Sequence, residues 1–483
     1  MCAPPSREPP KTVTCFRVTL NHNVFWTLVM CSFYGIADNI WSGTVVAAYL
    51  KELFGESNSA VGYVEASNGL AGLFTALPVG YLADKYKRSS ICKFGAVTLV
   101  VTAVVHSGVM YWIGDEAPPA GSSKSHTAMC LFLAVMFLWG LSGGIVNGPL
   151  QALYADSTPA GDRSKYYVYL FAAYMLSSMV GPLVSIVLFQ VWGDEWTLWD
   201  LKNVMLVGMG MEIVAAAFLC TVDDKHALKE EEEEGEGKGG GGGSAPRPSE
   251  ADLDLVRRRR RIPYMLFCVD LLISLGSGMT VKFFPLFFKD DCKLSPVSVQ
   301  LIYLAVPLVI VVASKLAQNL SKTFGRVQSI LLVKAVGLTF LYVLVFFNDY
   351  LVSRPQLIVP IYLARTGLMN CTYPLQESIL MDFVPKQERA RWKSLESVGA
   401  FGWCGSAALG GILADKYDYT FTFLATAIIQ TVGALGYALL LPLVPRKEKD
   451  LAKSASKESL TEPLLGGGEE EEREEGGSMP GVV

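Results

Sequence analysis

Long apolar runs constrain this chain more than any other feature. At about 20 residues each, the length needed to cross a bilayer as a helix, about twelve can be placed. They fall at 24–50, 59–82, 90–113, 127–152, 165–191 and 201–222, then at 262–288, 297–320, 327–348, 357–380, 393–415 and 420–444. Lipid offers the backbone no hydrogen-bond partner, so each run must satisfy its own amides as a helix. Composition agrees. The 483 residues are 51% hydrophobic and only 18% charged, where soluble domains carry about 25% charge. The expected fold class is all-α integral membrane. The ten cysteines are scattered, mostly inside the runs, with no Cys-x-x-Cys pair, which argues against a disulfide framework or a zinc site. No metal or other cofactor is expected. The opening residues are polar and proline-rich and precede a full-length run, unlike a cleavable signal peptide.

Charge is concentrated outside the runs. Between the sixth and seventh lies "DDKHALKEEEEEGEGKGGGGGSAPRPSEADLDLVRRRRR", acidic, then glycine-rich, then basic, with nothing to bury. It reads as a disordered linker, as does the Glu-rich C-terminal tail. The expected organisation is a cytoplasmic tail (1–23), a six-helix half (24–222), the linker (223–261), a second six-helix half (262–444) and a C-terminal tail (445–483). Short loops on one side carry Lys85, Lys87, Arg88, Arg163, Lys165, Lys386, Arg389, Arg391 and Lys393, against Lys124 and Arg354 opposite. The positive-inside rule then places both termini and the linker in the cytoplasm. The run Arg257–Arg261 reads as a topology signal with affinity for anionic lipid headgroups rather than nucleic acid. The pair Leu464–Leu465 lacks the acid of a vacuolar sorting signal, so the plasma membrane and the vacuolar or endomembrane system stay open.

The sequence also repeats. "NGPLQALYADSTPAGDRSKYY" starts at Asn147 and "NCTYPLQESILMDFVPKQERARWK" at Asn370. Both hold Pro-Leu-Gln and then Asp-x-x-Pro-x-x-x-Arg, through Asp156, Pro159 and Arg163 in one copy and Asp382, Pro385 and Arg389 in the other. Each sits at the end of the fourth run of its half. A parallel duplication of this kind marks transporters, with the solute path between the repeats.

With "GYLADKYKR" between the second and third runs, the pattern resembles the major facilitator superfamily. That family's loop reads Gly-x-Leu-Ala-Asp-x-x-Gly-Arg-(Lys/Arg). Here it is matched at Gly80, Leu82, Ala83, Asp84 and Arg88, with Lys87 in place of the second glycine. "QNLSKTFGR", ending at Gly325 and Arg326, is the weaker counterpart. The resemblance covers roughly 24–222 and 262–444. It implies twelve spans in two halves that rock against each other. It also implies a gate at Gly80, Asp84 and Arg88, with Gly80 admitting a neighbouring helix and Asp84 facing a helix N-terminus or an arginine. The pair Gly181–Pro182 in the fifth span looks like the proton-coupled exporter branch. The arginine usual in the fourth span is replaced near Trp139.

Ions within the spans each cost about 2.5–3.5 kcal/mol on insertion scales and so call for a role. Asp38, near the middle of the first span and beside Asn39 and Trp41, is the leading candidate for a protonatable coupling or solute contact. Arg365 is the leading fixed cation and Glu212 a second carboxylate. Asp270 and Lys334 are candidates for an inner ion pair or the inner vestibule. Lys282 and Lys315 are expected to snorkel to the interface, and Glu65 to line the outer vestibule. Asn147 and Asn370, with Gln151 and Gln376, occupy equivalent places and suit either a polar solute or helix–helix bonds. Tyr34, Trp41, Trp139, Tyr167, Tyr174 and Trp403 are candidate pathway aromatics. Gly399, Gly402, Gly405, Gly410 and Gly411 suit close packing of the eleventh span.

No Gly-x4-Gly-Lys-Ser/Thr loop and no nucleophile–His–acid arrangement is present, which points away from an ATPase or other enzyme and toward a gradient as fuel. The expected function is a secondary transporter moving a small organic solute by alternating access, coupled to protons. It would act as a monomer in contact with membrane lipids. Facilitative or symport uptake of a sugar or metabolite is one alternative. A non-transporting membrane receptor or scaffold is the other.

Overall fold

Many helix starts in this chain are written into its sequence as capping side chains. A computed structural model describes residues 12–15, 18–158, 163–228, 259–384, 392 and 396–445. The first half holds α1 (His22–Trp41), α2 (Thr44–Leu53), α3 (Asn58–Lys85), α4 (Arg88–Ile113), α5 (Ser123–Asp156), α6 (Arg163–Trp192) and α7 (Leu198–Leu219). The second holds α8 (Ile262–Val281), α9 (Phe284–Asp290), α10 (Pro296–Phe324), α11 (Arg326–Phe346), the short α12 (Asn348–Val352), α13 (Pro355–Asn370), α14 (Tyr373–Phe383), α15 (Glu396–Lys416) and α16 (Tyr419–Gly436). We call the end bearing the start of α1 the terminal end and the other the distal end. Of the long helices that begin distally, α3, α5, α7, α10 and α16 are capped by a side chain, Ser57, Ser122, Thr197, Ser295 and Asp418 each accepting a first-turn amide, while α13 starts instead on Pro355. Such caps satisfy otherwise orphaned amides for about 1 kcal/mol each.

The fold is that of a multi-pass membrane protein, with helices at every predicted run. Nine of the described helical segments are long and apolar enough to cross a membrane. The first, second and tenth predicted spans do not qualify. The first is α1 followed by α2, broken at Ser42–Gly43, and the tenth is α13 followed by α14, broken at Cys371–Thr372. The second, α3, carries Glu65 and several amides and glycines. The seventh span is also broken, at Lys282–Phe283 between α8 and α9. A mid-span glycine (Gly43) and a proline in the first turn of α9 (Pro285) fit these two breaks, since neither favours an uninterrupted helix. The breaks of the first and seventh spans stand at matching places in the two halves.

One element was not predicted. Thr12–Cys15 and Val18–Asn21 form an antiparallel hairpin, β1 and β2, ahead of α1. Behind it, buried Asn23 is a clamp. Its amide donates to Ser157 Oγ (3.0 Å) and to the Asp223 carbonyl (2.9 Å), and its Oδ1 accepts from the Asp223 amide (3.0 Å). The start of α1 is thereby tied to the ends of α5 and α7.

The halves meet tightly along α3 and α15. A side chain at Gly62 would fall 2.4 Å from the Ala407 carbonyl across the halves; within the second half one at Gly410 would fall 2.2 Å from the Met279 carbonyl of α8, and, again across the halves, one at Gly411 2.4 Å from the Asn58 carbonyl. The eleventh span's small face is close-packing material at those last two positions. At Gly399 a side chain would meet open space.

Candidate functional site

The two helix breaks face each other. Ending α1 at Trp41 leaves carbonyls without intrahelical partners, and a helix C-terminus carries partial negative charge. Lys282, at the break of the seventh span, donates to the Ser42 carbonyl at 3.1 Å. It also pairs with Glu65 of α3 at 3.2 Å, with both side chains largely buried. Ser42 Oγ donates to Asp38 at 2.6 Å. Cys404 Sγ lies 3.6 Å from Glu65, and the Trp403 ring lies 5.7 Å from the lysine. One ammonium from the second half is thus shared between a carboxylate and a broken helix of the first, with Asp38 one residue-turn away. Lys282 does not snorkel and Glu65 does not line a vestibule. The break carries the lysine inward, where a buried ammonium requires a partner.

Asp38 and Glu212 share the first half. Trp41 Nε1 donates to Glu212 Oε1 at 3.2 Å, while the other oxygen of this buried carboxyl has no partner. Trp41 also packs against His106 and Trp139, and Trp139 Nε1 donates to His106 Nδ1 at 3.1 Å. Asn39 bonds the Gly35 carbonyl (2.8 Å) and faces a cavity of roughly 190 Å³ that also takes in Tyr174, Ser178, Gln300 and Tyr303. Gly181 is what lets α6 reach it: a side chain there would fall 2.4 Å from Asn39 Cβ.

Arg365 stands apart from Asp38. It is buried over the Phe284 ring (5.3 Å), with Gln430 3.5 Å away. Asp270 and Lys334 do not form a direct ion pair. Asp270 accepts from Gln376 at 2.9 Å and from the Tyr437 hydroxyl, while Lys334 donates to the Met369 carbonyl at 3.4 Å and lies over the Tyr437 ring. The tyrosine stands between them and joins them into one network. Of the paired amides only Gln376 belongs to that network: Asn147, Gln151 and Asn370 are exposed, with Asn370 bonding the Thr366 carbonyl of its own helix.

At the terminal end the repeats show their use. Arg88 pairs with Asp156, and Arg326 with Asp382 at 2.6 Å. The aspartates of the duplicated motif thus hold the arginines of the duplicated loop, each within its own half. Pro159, Pro385 and Arg389 lie outside the described residues, as do the side chains of Asp84 and Arg163. Gly80 is not a packing point here, since a side chain there would meet open space. Lys87 has φ −59°, which any residue adopts, so this loop does not need the family's glycine. Its counterpart Gly325 has φ 103° and does.

A profile of the Major Facilitator Superfamily matches residues 25–395 and 266–469. The chain belongs to this superfamily. An uncharacterised MFS-type transporter of Bacillus subtilis (strain 168), YqjV, is 24% identical over 165 residues, which is 34% of this chain and 36% of that one. The match therefore spans about a third of that relative's length. Among solved structures, a bacterial homologue of the iron transporter ferroportin in an inward-facing state superimposes with a TM-score of 0.64 at 13% identity, covering 86% of this chain and 98% of that one. A D-xylose-proton symporter superimposes with a TM-score of 0.62 at 14% identity, covering 88% and 97%. At such identities the likeness establishes the superfamily fold.

Sequence reasoning missed Ser42, Gln300, Tyr303, Gln430 and His106. Only Ser42 had a signal, through the breaker Gly43 beside it in mid-span.

Proposed function

We propose that this superfamily member is a secondary transporter that moves a small organic solute by alternating access, with protons exchanged at Asp38 and Glu65. The carrying observation is Lys282, shared across the halves between Glu65 and the Ser42 break beside Asp38. Tyr34, Tyr174, Glu212 and Cys404 are the other titratable groups in reach. One ammonium neutralises one carboxylate, and the bilayer interior disfavours every further charge. Proton uptake by Glu65 removes the partner that ties the halves together. Asp38 and the α1 carbonyls then compete for the freed lysine. A solute entering between the halves alters that competition, which is what coupling requires.

With both termini and the linker cytoplasmic, as loop charge suggests, the joined distal end faces outward and this state is inward-facing. The linker serves as a connector, and the monomer is the working unit.

The test is solute accumulation in proteoliposomes across a solute panel, with and without an imposed pH gradient. Asp38→Asn is expected to insert, fold and exchange solute but not to concentrate it. Full pH-driven accumulation by both Asp38→Asn and Glu65→Gln would remove this pair from the coupling site.

A further inference from the structure

Arg365 is a charged side chain without a counter-ion. It is 3% exposed, and no carboxylate lies in salt-bridge range among the described residues. Its one hydrogen bond is the long contact to Gln430, itself held by Ser277 Oγ at 2.8 Å. Its Nε has no partner among the described residues. The nearest ionisable groups are the hydroxyls of Tyr303 and Tyr362, which lie 3.4 Å apart, and Lys334, which repels it. A guanidinium buried this way is costly unless an anion reaches it.

An approach to it exists. Tyr303 both lines the cavity between α1, α6 and α10 and stands beside Tyr362 and Arg365. The other cavity walls mix hydrogen-bonding groups (Asn39, Ser178, Gln300) with apolar ones such as Pro182 and Ile310. A guanidinium matches a carboxylate through paired, planar donors, and the mixed walls suit a small, partly apolar body.

Resting on the transporter reading above, we infer that the solute is a small organic anion whose carboxylate binds Arg365 past Tyr303, with its body in the cavity facing Asn39 and Gln300. Arg365 then serves recognition, while Lys282, Glu65 and Asp38 serve coupling.

The experiment is thermal unfolding of the purified full-length protein at one pH with no gradient. Benzoate, butyrate and nicotinate are compared with benzamide, butyramide, nicotinamide and benzylamine. A carboxylate is expected to raise the midpoint by several degrees while its amide and the amine do not. Arg365→Gln is expected to lose that shift with little change in its own unliganded midpoint, because the cost of burying the cation without a counter-ion offsets its contacts with Phe284 and Gln430. Arg365→Lys keeps the charge but loses the fork, and is expected to weaken the carboxylate effect by roughly tenfold. Three results would overturn the inference: equal stabilisation by amides or the amine, no stabilisation by any carboxylate, or an Arg365→Gln protein that unfolds or keeps the shift. Because no proton gradient is involved, failure here leaves the coupling proposal standing, and failure of Asp38→Asn in the flux assay leaves this one standing.

Discussion

The two ends of the molecule use charge in opposite ways. At the distal end charged groups join one half to the other. Lys51 of α2 contacts Asp290 of α9, Lys289 meets Glu52 at 2.5 Å, and Asp415 of α15 accepts the amides of Asn58 and Ser59 at 2.7 Å. Tyr419 adds a hub, meeting Lys51, Asn58 and Asp290. At the terminal end the described pairs, Arg88–Asp156 and Arg326–Asp382, stay within their halves. The same chemistry therefore clamps one end and only stiffens the other. A transporter that alternates must undo the first set while keeping the second, which is the behaviour expected of rigid halves moving about a central site.

The largest expected effect comes from breaking the clamp at its most buried point. Glu65→Gln leaves Lys282 without its carboxylate, and removing one partner of a buried pair costs about 3–5 kcal/mol. Spin-label distances across the distal end are expected to lengthen, and Glu65→Gln/Lys282→Met to recover most of the closed population. Unchanged distances in the single variant would mean that the glycine packing of α3 on α15 holds the halves unaided.

A smaller effect is expected at the terminal end. Arg88→Gln removes a half-exposed pair worth about 1 kcal/mol or less. The same distal distances should not move, while the melting point falls slightly. A distal opening in this variant would erase the distinction between the two ends.

The smallest concerns the join behind the hairpin. Partial burial pushes the Asp223 carboxyl up, but the Lys225 amide, with Lys225, Lys93 and His226 nearby, outweighs it and holds the group below the usual range. Its contribution is therefore present above the ordinary carboxylate pKa and lost as the pH falls through the depressed value. Asp223→Asn should flatten that acid-side loss of stability, read as melting point against pH, with no change in the distal distances.

Much of this architecture was legible in the sequence because bilayer physics is one-dimensional: an apolar run of sufficient length must be a helix. The duplicated Asp-x-x-Pro-x-x-x-Arg loop likewise marked Asp156 and Asp382 as special before any arginine was seen beside them. Asp38 and Arg365 stood out for the same reason, as ions where ions are costly. What the pattern did not contain was who meets whom. Lys282 read as a residue near a span end, since hydropathy counts position along a helix and not the break that turns it inward. Asp38 and Arg365 were the leading carboxylate and the leading fixed cation, and nothing in the sequence said whether the two meet. Folding instead gave Asp38 the hydroxyl of Ser42 and left Arg365 against aromatic rings and an amide. Hydropathy places the helices along the chain, whereas the choice of partner for a buried charge depends on contacts between residues hundreds of positions apart, which only the packed halves bring together.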